Sequence, residues 1–175
     1  MKTILFLDVD GVFSIPNTAD KDERLERIPL GDGHHIVCWP IPMYKRLLYA
    51  IGMEKRLHPV WLTAWGDAAH VLTNRAMTQA FPVAYPLSRQ QTRYAHMRFS
   101  HPEQSDRKLI AAVYYLVKHH GPGQVIWVED GFAEETKEWA AAVDVRLIDT
   151  TDETIRELLL SREEQAVQKF MELLV

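Results

Sequence analysis

Short, unbroken apolar runs alternate along the chain with longer stretches whose apolar residues recur every three or four positions. Thr3–Leu7 is such a run and ends in acids, which predicts a strand buried on both faces. Met43, Leu47, Leu48 and Ile51 have helical spacing, and Gly52 supplies a stop. Pro59–Thr63 predicts a second buried strand. Asp67 can cap a helix running to Phe81, with Val71, Leu72 and Ala76 inward. Pro82 ends that helix, and Val83–Tyr85 predicts a short third strand. A helix from Ser105 or Asp106 to His119 follows, stopped by Gly121-Pro122-Gly123. Val125–Val128 is another buried run ending in acids, then come a helix over Ala133–Ala142 and a strand over Val143–Ile148. Thr150-x-x-Glu153 and Ser161-x-x-Glu164 match the capping box and open two short final helices. The last, within 161–175, carries the stripe Val167, Phe170, Met171 and Leu174, predicted to dock on the core. Two stretches show neither period. Residues 14–40 read as irregular, with Pro16, Pro29, Gly31, Gly33 and a charge cluster at Asp20–Arg27, and residues 88–104 read as a long polar loop.

Alternating strands and helices predict an α/β fold, a three-layer Rossmann-like parallel sheet with helices on both faces. The length suits a single domain spanning residues 1–175. Right-handed crossovers then place every strand's C-terminal end along one edge, where such folds bind ligands.

Composition narrows the class. Hydrophobic residues make up 47% and charged residues 25%, which excludes wholesale disorder and a disulfide scaffold. A net charge of -4 gives no electrostatic mandate for nucleic acid or an anionic membrane. The single Cys38 has no partner for an intramolecular disulfide and fits a reducing compartment. Asp8 and Asp10 interrupt the N-terminal apolar run, and no stretch approaches the roughly 20 apolar residues of a membrane span. The expectation is a cytoplasmic protein with no membrane partner.

Three predicted strands end in polar groups that meet at the common edge: Asp8-Val9-Asp10-Gly11, Thr63, and Glu129-Asp130. In extended chain, Asp8 and Asp10 point the same way, and burying two carboxylates without compensation is costly. A hard cation such as Mg²⁺ removes that penalty, with Glu129-Asp130 completing the cage from a neighbouring strand. Gly11 lets the backbone turn sharply out of the strand.

These residues resemble the motifs of the haloacid dehalogenase-like (HAD) hydrolase superfamily. Asp-Val-Asp-Gly-Val after the first strand is similar to its first motif, Thr63 after Val60-Trp61-Leu62 to its second, Lys108 to its third and Glu129-Asp130 to its fourth. The likeness runs from about residue 3 to about residue 150 and is nearest to small capless members. Leu62-Thr63-Ala64-Trp65-Gly66-Asp67-Ala68-Ala69 bears a weaker likeness to HAD domains of bacterial RNA-repair proteins. The resemblance implies a phosphatase. Asp8 is then the nucleophile that forms an aspartyl-phosphate, and Asp10 the general acid and later base. Thr63 and the Ala64 amide hold a phosphoryl oxygen, while Lys108 neutralises the transferring group. Mg²⁺ sits on the Asp8 carboxylate, the Asp10 carbonyl and Asp130, with Glu129 or Glu134 as outer ligand. Lys118 is a rival to Lys108, placed late in its helix.

Little chain separates Asp10 from Thr63, or Thr63 from Lys108, so at most a small lid over residues 14–39 is expected. An open site suits bulky substrates: the expected partner is a phosphorylated small molecule or nucleic-acid end. Trp65 and Trp39 can stack on a base or pack under the lid. Arg89, Arg93, Arg98 and Lys108, with His96 and His101, make residues 88–108 locally basic, as a phosphate-binding or simply solvated loop. His34-His35 lacks a third metal ligand, and Cys38 reads as a small buried hydrophobe. Two other functions use the same residues: a phosphotransferase or mutase, and a non-enzymatic Mg²⁺-binding module.

Overall fold

The structure is a computed structural model that describes residues 2–14, 25–31, 34–40, 43–89, 92–93, 106–119, 123–161 and 163–175. In chain order the strands are β1 (Thr3–Leu7), β2 (Leu25–Gly31), β3 (His34–Pro40), β4 (Leu57–Leu62), β5 (Val83–Tyr85), β6 (Val125–Glu129) and β7 (Val145–Asp149). The helices are α1 (Met43–Met53), α2 (His70–Arg75), α3 (Arg107–His119), α4 (Glu134–Ala142), α5 (Glu153–Leu160) and α6 (Glu164–Glu172). A 3₁₀ turn over Gly66–Ala69 leads into α2.

Five strands pair in the order β5-β4-β1-β6-β7, every pair parallel, in a Rossmann-like α/β arrangement. Alternate residues of the same strand enter different layers of core, as the two-residue side-chain period requires. Leu5, Leu7, Trp61, Ile126 and Val128 pack with Leu47, Leu48, Leu72, Leu159 and Phe170 of α1, α2, α5 and α6. Ile4, Phe6, Val60, Leu62, Val125 and Trp127 pack with Leu109, Ala112 and Ala140 of α3 and α4. The central strands are therefore apolar on both faces through their buried middles, residues 4–7, 59–62 and 125–128. The chain builds outward from β1 to β4 and β5, then crosses back to β6 and β7, so the order reverses between β1 and β6. That reversal opens a crevice beyond the strand ends.

Several boundaries depart from expectation. The helix expected to reach Phe81 stops at Arg75, because Met77 adopts φ +56° and the N–H groups of Met77 and Thr78 return to the carbonyls of Asn74 and Thr73. This is a Schellman closure without a glycine, so the sequence carries no sign of it. The strand expected at Val143–Ile148 is Val145–Asp149, with Asp144 at φ +57° making the preceding turn. Asp152, not Thr150, caps α5, accepting from the N–H groups of Thr154 at 2.9 Å and Ile155 at 3.3 Å. Glu163 precedes α6 without a side-chain cap, and Ser161 Oγ accepts from the Glu163 N–H at 3.1 Å. The final helix docks as its stripe predicts: Phe170 and Leu174 are fully buried.

The stretch read as irregular contains ordered backbone. β2 and β3 form an antiparallel pair, inserted between β1 and α1, and β3 lies against α1 and α5. Residues 15–24 of the expected lid lie outside the described residues, as do His96, Arg98, His101 and the side chains of His34, His35, Cys38 and Trp39. Among the described residues no helix is long and apolar enough to cross a membrane.

Candidate active site

Asp8 is the first residue beyond β1, where the sheet order reverses. It is 3% exposed, and its Oδ1 accepts from the Val9 N–H at 2.7 Å. The turn behind it is tightly made. Phe13 and Ser14 donate their N–H groups to Val9 O, and Gly11 N–H donates to Ser14 O at 2.8 Å. Gly11 sits at φ +71°, and a Cβ there would fall 2.2 Å from Asp130 Cβ. Both facts require glycine: the backbone is left-handed, and Asp130 occupies the space a side chain would need. Thr150 closes the same corner from the β7–α5 turn, its hydroxyl donating to Gly11 O at 3.0 Å.

Lys108 reaches this crevice from the first turn of α3. Asp106 fixes that turn, its Oδ1 accepting from the Lys108 N–H at 2.8 Å and its Oδ2 from the Thr136 hydroxyl of α4 at 2.8 Å. Lys108 Nζ donates to Asp8 Oδ2 at 2.8 Å and also to Glu129 Oε1. The second oxygen of Glu129 accepts from Trp127 Nε1 at 2.7 Å. Thr63, fully buried just beyond β4, lies close enough to Asp8 for its hydroxyl to pull the carboxyl's pKa down. One ammonium and one hydroxyl thus converge on one buried carboxylate.

Oxygens of Asp8, Glu129 and Asp130 lie within 4.8 Å of one another. Two of these carboxylates, Asp8 and Glu129, share the Lys108 ammonium, and burial shifts both. Burial pushes Asp8 above the usual carboxylate range, and the Lys108 charge only partly offsets it. Burial likewise lifts Glu129 to about 7, against the pull of Lys108 and with the Asp8 charge adding to the rise. Burial would lower Lys108, but Asp8 and Glu129 outweigh it and the ammonium is held above its ordinary value. The donor set is all oxygen and carries excess negative charge, which fits a hard divalent cation.

Asp10 is treated differently. Its carboxylate is exposed and does not join the three: Oδ1 accepts from the Ser14 hydroxyl at 2.7 Å and Oδ2 from Trp65 Nε1 at 2.8 Å. Trp65 is half-buried, part of its ring packed against the core. Ala64 is exposed beside it. Of the rivals, Glu134 is exposed at the start of α4 and pairs with Lys137 at 3.5 Å, outside the acidic group. Lys118 lies at the far end of α3, over the Tyr114 ring.

The structure thus brings together Asp8, Thr63, Lys108, Glu129 and Asp130. Four contributors escaped sequence reading: Ser14, Asp106, Trp127 and Thr150. Of these, Asp106 and Thr150 carry a sign in the sequence, each as a helix-cap candidate, Asp106 two positions before Lys108. No family model matches the chain, and no curated protein or solved structure matches it.

Proposed function

We propose that the protein is a Mg²⁺-dependent phosphohydrolase with a HAD-type core, cleaving a phosphomonoester through an aspartyl-phosphate on Asp8. The observation that carries the reading is the unequal treatment of two carboxylates two residues apart. Asp8 is buried and shares Lys108 with Glu129, whereas Asp10 is exposed and held by neutral donors. Environments that separate two titratable groups assign them different roles.

Asp8, Asp130 and Glu129 would hold the metal, together with the Asp10 backbone carbonyl. Bound there, Mg²⁺ would screen the charge between an anionic nucleophile and an anionic phosphate. The residues of the chain supply the rest. An Asp8 oxygen attacks phosphorus and the bond to the leaving oxygen breaks. Asp10, protonated, gives its proton to that oxygen and leaves as carboxylate. Water then attacks the aspartyl-phosphate and yields its proton to Asp10. The Asp8–phosphorus bond breaks and inorganic phosphate is released. Lys108 and the Thr63 hydroxyl stabilise charge on the phosphoryl oxygens.

A lid no larger than residues 14–39 suits bulky substrates such as a phosphorylated nucleic-acid end. The test is phosphate release from a panel of phosphomonoesters, including 3′- and 5′-phosphorylated oligonucleotides, with Mg²⁺, with chelator and with Asp8→Asn. Release that requires both Mg²⁺ and Asp8 is expected. Turnover only when an alcohol acceptor is added would assign a phosphotransferase instead. Absence of turnover with metal bound would make the chain a binding module.

A further inference from the structure

Two pairs of residues with the same spacing leave adjacent strands side by side. Asp8-x-Asp10 leaves β1, and Thr63-x-Trp65 leaves the neighbouring β4. The Thr63 hydroxyl lies beside Asp8, and the Trp65 indole donates to Asp10 at 2.8 Å. We infer that Trp65 is a positioning residue for Asp10, acting with Ser14 to hold the proton-transferring carboxylate in one orientation, rather than a platform for substrate.

An exposed aspartate at a turn ordinarily samples several side-chain rotamers. Here both oxygens are fixed from different elements, Oδ1 by Ser14 on its own turn and Oδ2 by a residue 55 positions away. Each anchor is itself secured. Ser14 is 3% exposed, and its backbone donates to Val9 O. The Trp65 N–H points at Thr63 Oγ1 at 3.4 Å, Gly66 N–H closes the turn onto Thr63 O at 3.2 Å, and the indole packs on the apolar core. Gly66 takes φ +53°, and a Cβ there would stand 3.0 Å from Pro86 Cδ, so the turn has little room to shift. The same rigid turn therefore serves both carboxylates. Orientation of a proton donor matters most when the leaving group is a poor one, because a good leaving group departs without protonation.

This inference rests on the proposed phosphatase reading, and the experiment separates the two. Wild type, Asp10→Asn, Trp65→Phe and Ser14→Ala would each be assayed with Mg²⁺ on p-nitrophenyl phosphate and on an alkyl phosphate. Trp65→Phe keeps the ring but removes the N–H. It is expected to lower kcat on the alkyl ester at least tenfold more than on the nitrophenyl ester, with KM little changed. Ser14→Ala should show the same split in smaller degree, and Trp65→His, which retains a ring N–H, should restore part of the loss. An equal fall on both esters, or a change confined to KM, would overturn the positioning role and return Trp65 to substrate binding. If Trp65→Phe does not fold, Ser14→Ala decides: no split there also overturns the inference. A flat leaving-group response in Asp10→Asn, or an inactive wild type, would instead sink the phosphatase reading and the inference with it.

Discussion

Glu129 is expected to make the protein's stability sensitive to pH in an unusual direction. Its carboxyl lies near 7 when folded against 4.5 when free, so the folded state holds a proton that the unfolded state has lost. Stability from this group is full below pH 4.5 and disappears as pH rises through 7. A shift of that size corresponds to at most about 3 kcal/mol. Asp8, raised by burial, acts in the same direction. His58 opposes them: burial and the nearby Lys2 and His119 charges lower it, so its contribution is lost as pH falls. Glu54, lowered to about 2 beside Arg56, is ionised in both states across this window and adds no slope. The assay is urea denaturation in chelator at pH 5 and pH 8, for wild type and Glu129→Gln. Wild type should lose on the order of 1–3 kcal/mol between the two, and the variant distinctly less. Millimolar Mg²⁺ should reverse the trend, stabilising the protein at pH 8 more than at pH 5, because protons and metal compete for the same oxygens. Equal slopes in wild type and variant would refute the link to Glu129, and a Mg²⁺ effect independent of pH would refute the metal site.

Other expectations concern single residues. Lys108→Met leaves Asp8 and Glu129 without their cation and should cost about 3–5 kcal/mol at pH 8, less at pH 5, by urea denaturation. Gly11→Ala combines a left-handed backbone with a Cβ driven into Asp130; it should destabilise by about 1–3 kcal/mol and abolish Mg²⁺ binding measured by calorimetry. Phe170→Ala removes a fully buried ring from α6 and should cost about 3–5 kcal/mol, with thermal unfolding remaining a single transition.

The parallel sheet was legible because its strands are buried on both faces, and continuous apolar runs such as Thr3–Leu7 have few other uses. Strand order followed less directly, since nothing in the residues states that β6 pairs with β1 rather than with β5. The hairpin escaped notice because Leu25–Gly31 and His34–Pro40 carry two prolines and mixed charge, without the alternation that marks a half-buried strand. The end of α2 is not legible in the residues, because a Schellman closure at Met77 needs no glycine when the surrounding structure imposes the turn. Thr150 matches a capping box, yet its hydroxyl turns to Gly11 O, and Asp152 takes the role.

The candidate site divides in the same way. Residues standing at strand ends could be grouped from order alone, because a parallel sheet collects those ends on one edge. Their pairing could not, since it depends on distances between side chains from separate turns. Asp8 and Asp10 look equivalent in the sequence, and the alternation of an extended strand would point them together. The chain leaves the strand at Asp8, however, and the Val9–Ser14 turn carries Asp10 outward to Ser14 and Trp65. That turn depends on Gly11, whose missing side chain also admits Asp130 to the acidic group. One glycine therefore both separates the two aspartates and lets a third acid approach the first, so the division of labour proposed for Asp8 and Asp10 begins as a backbone property.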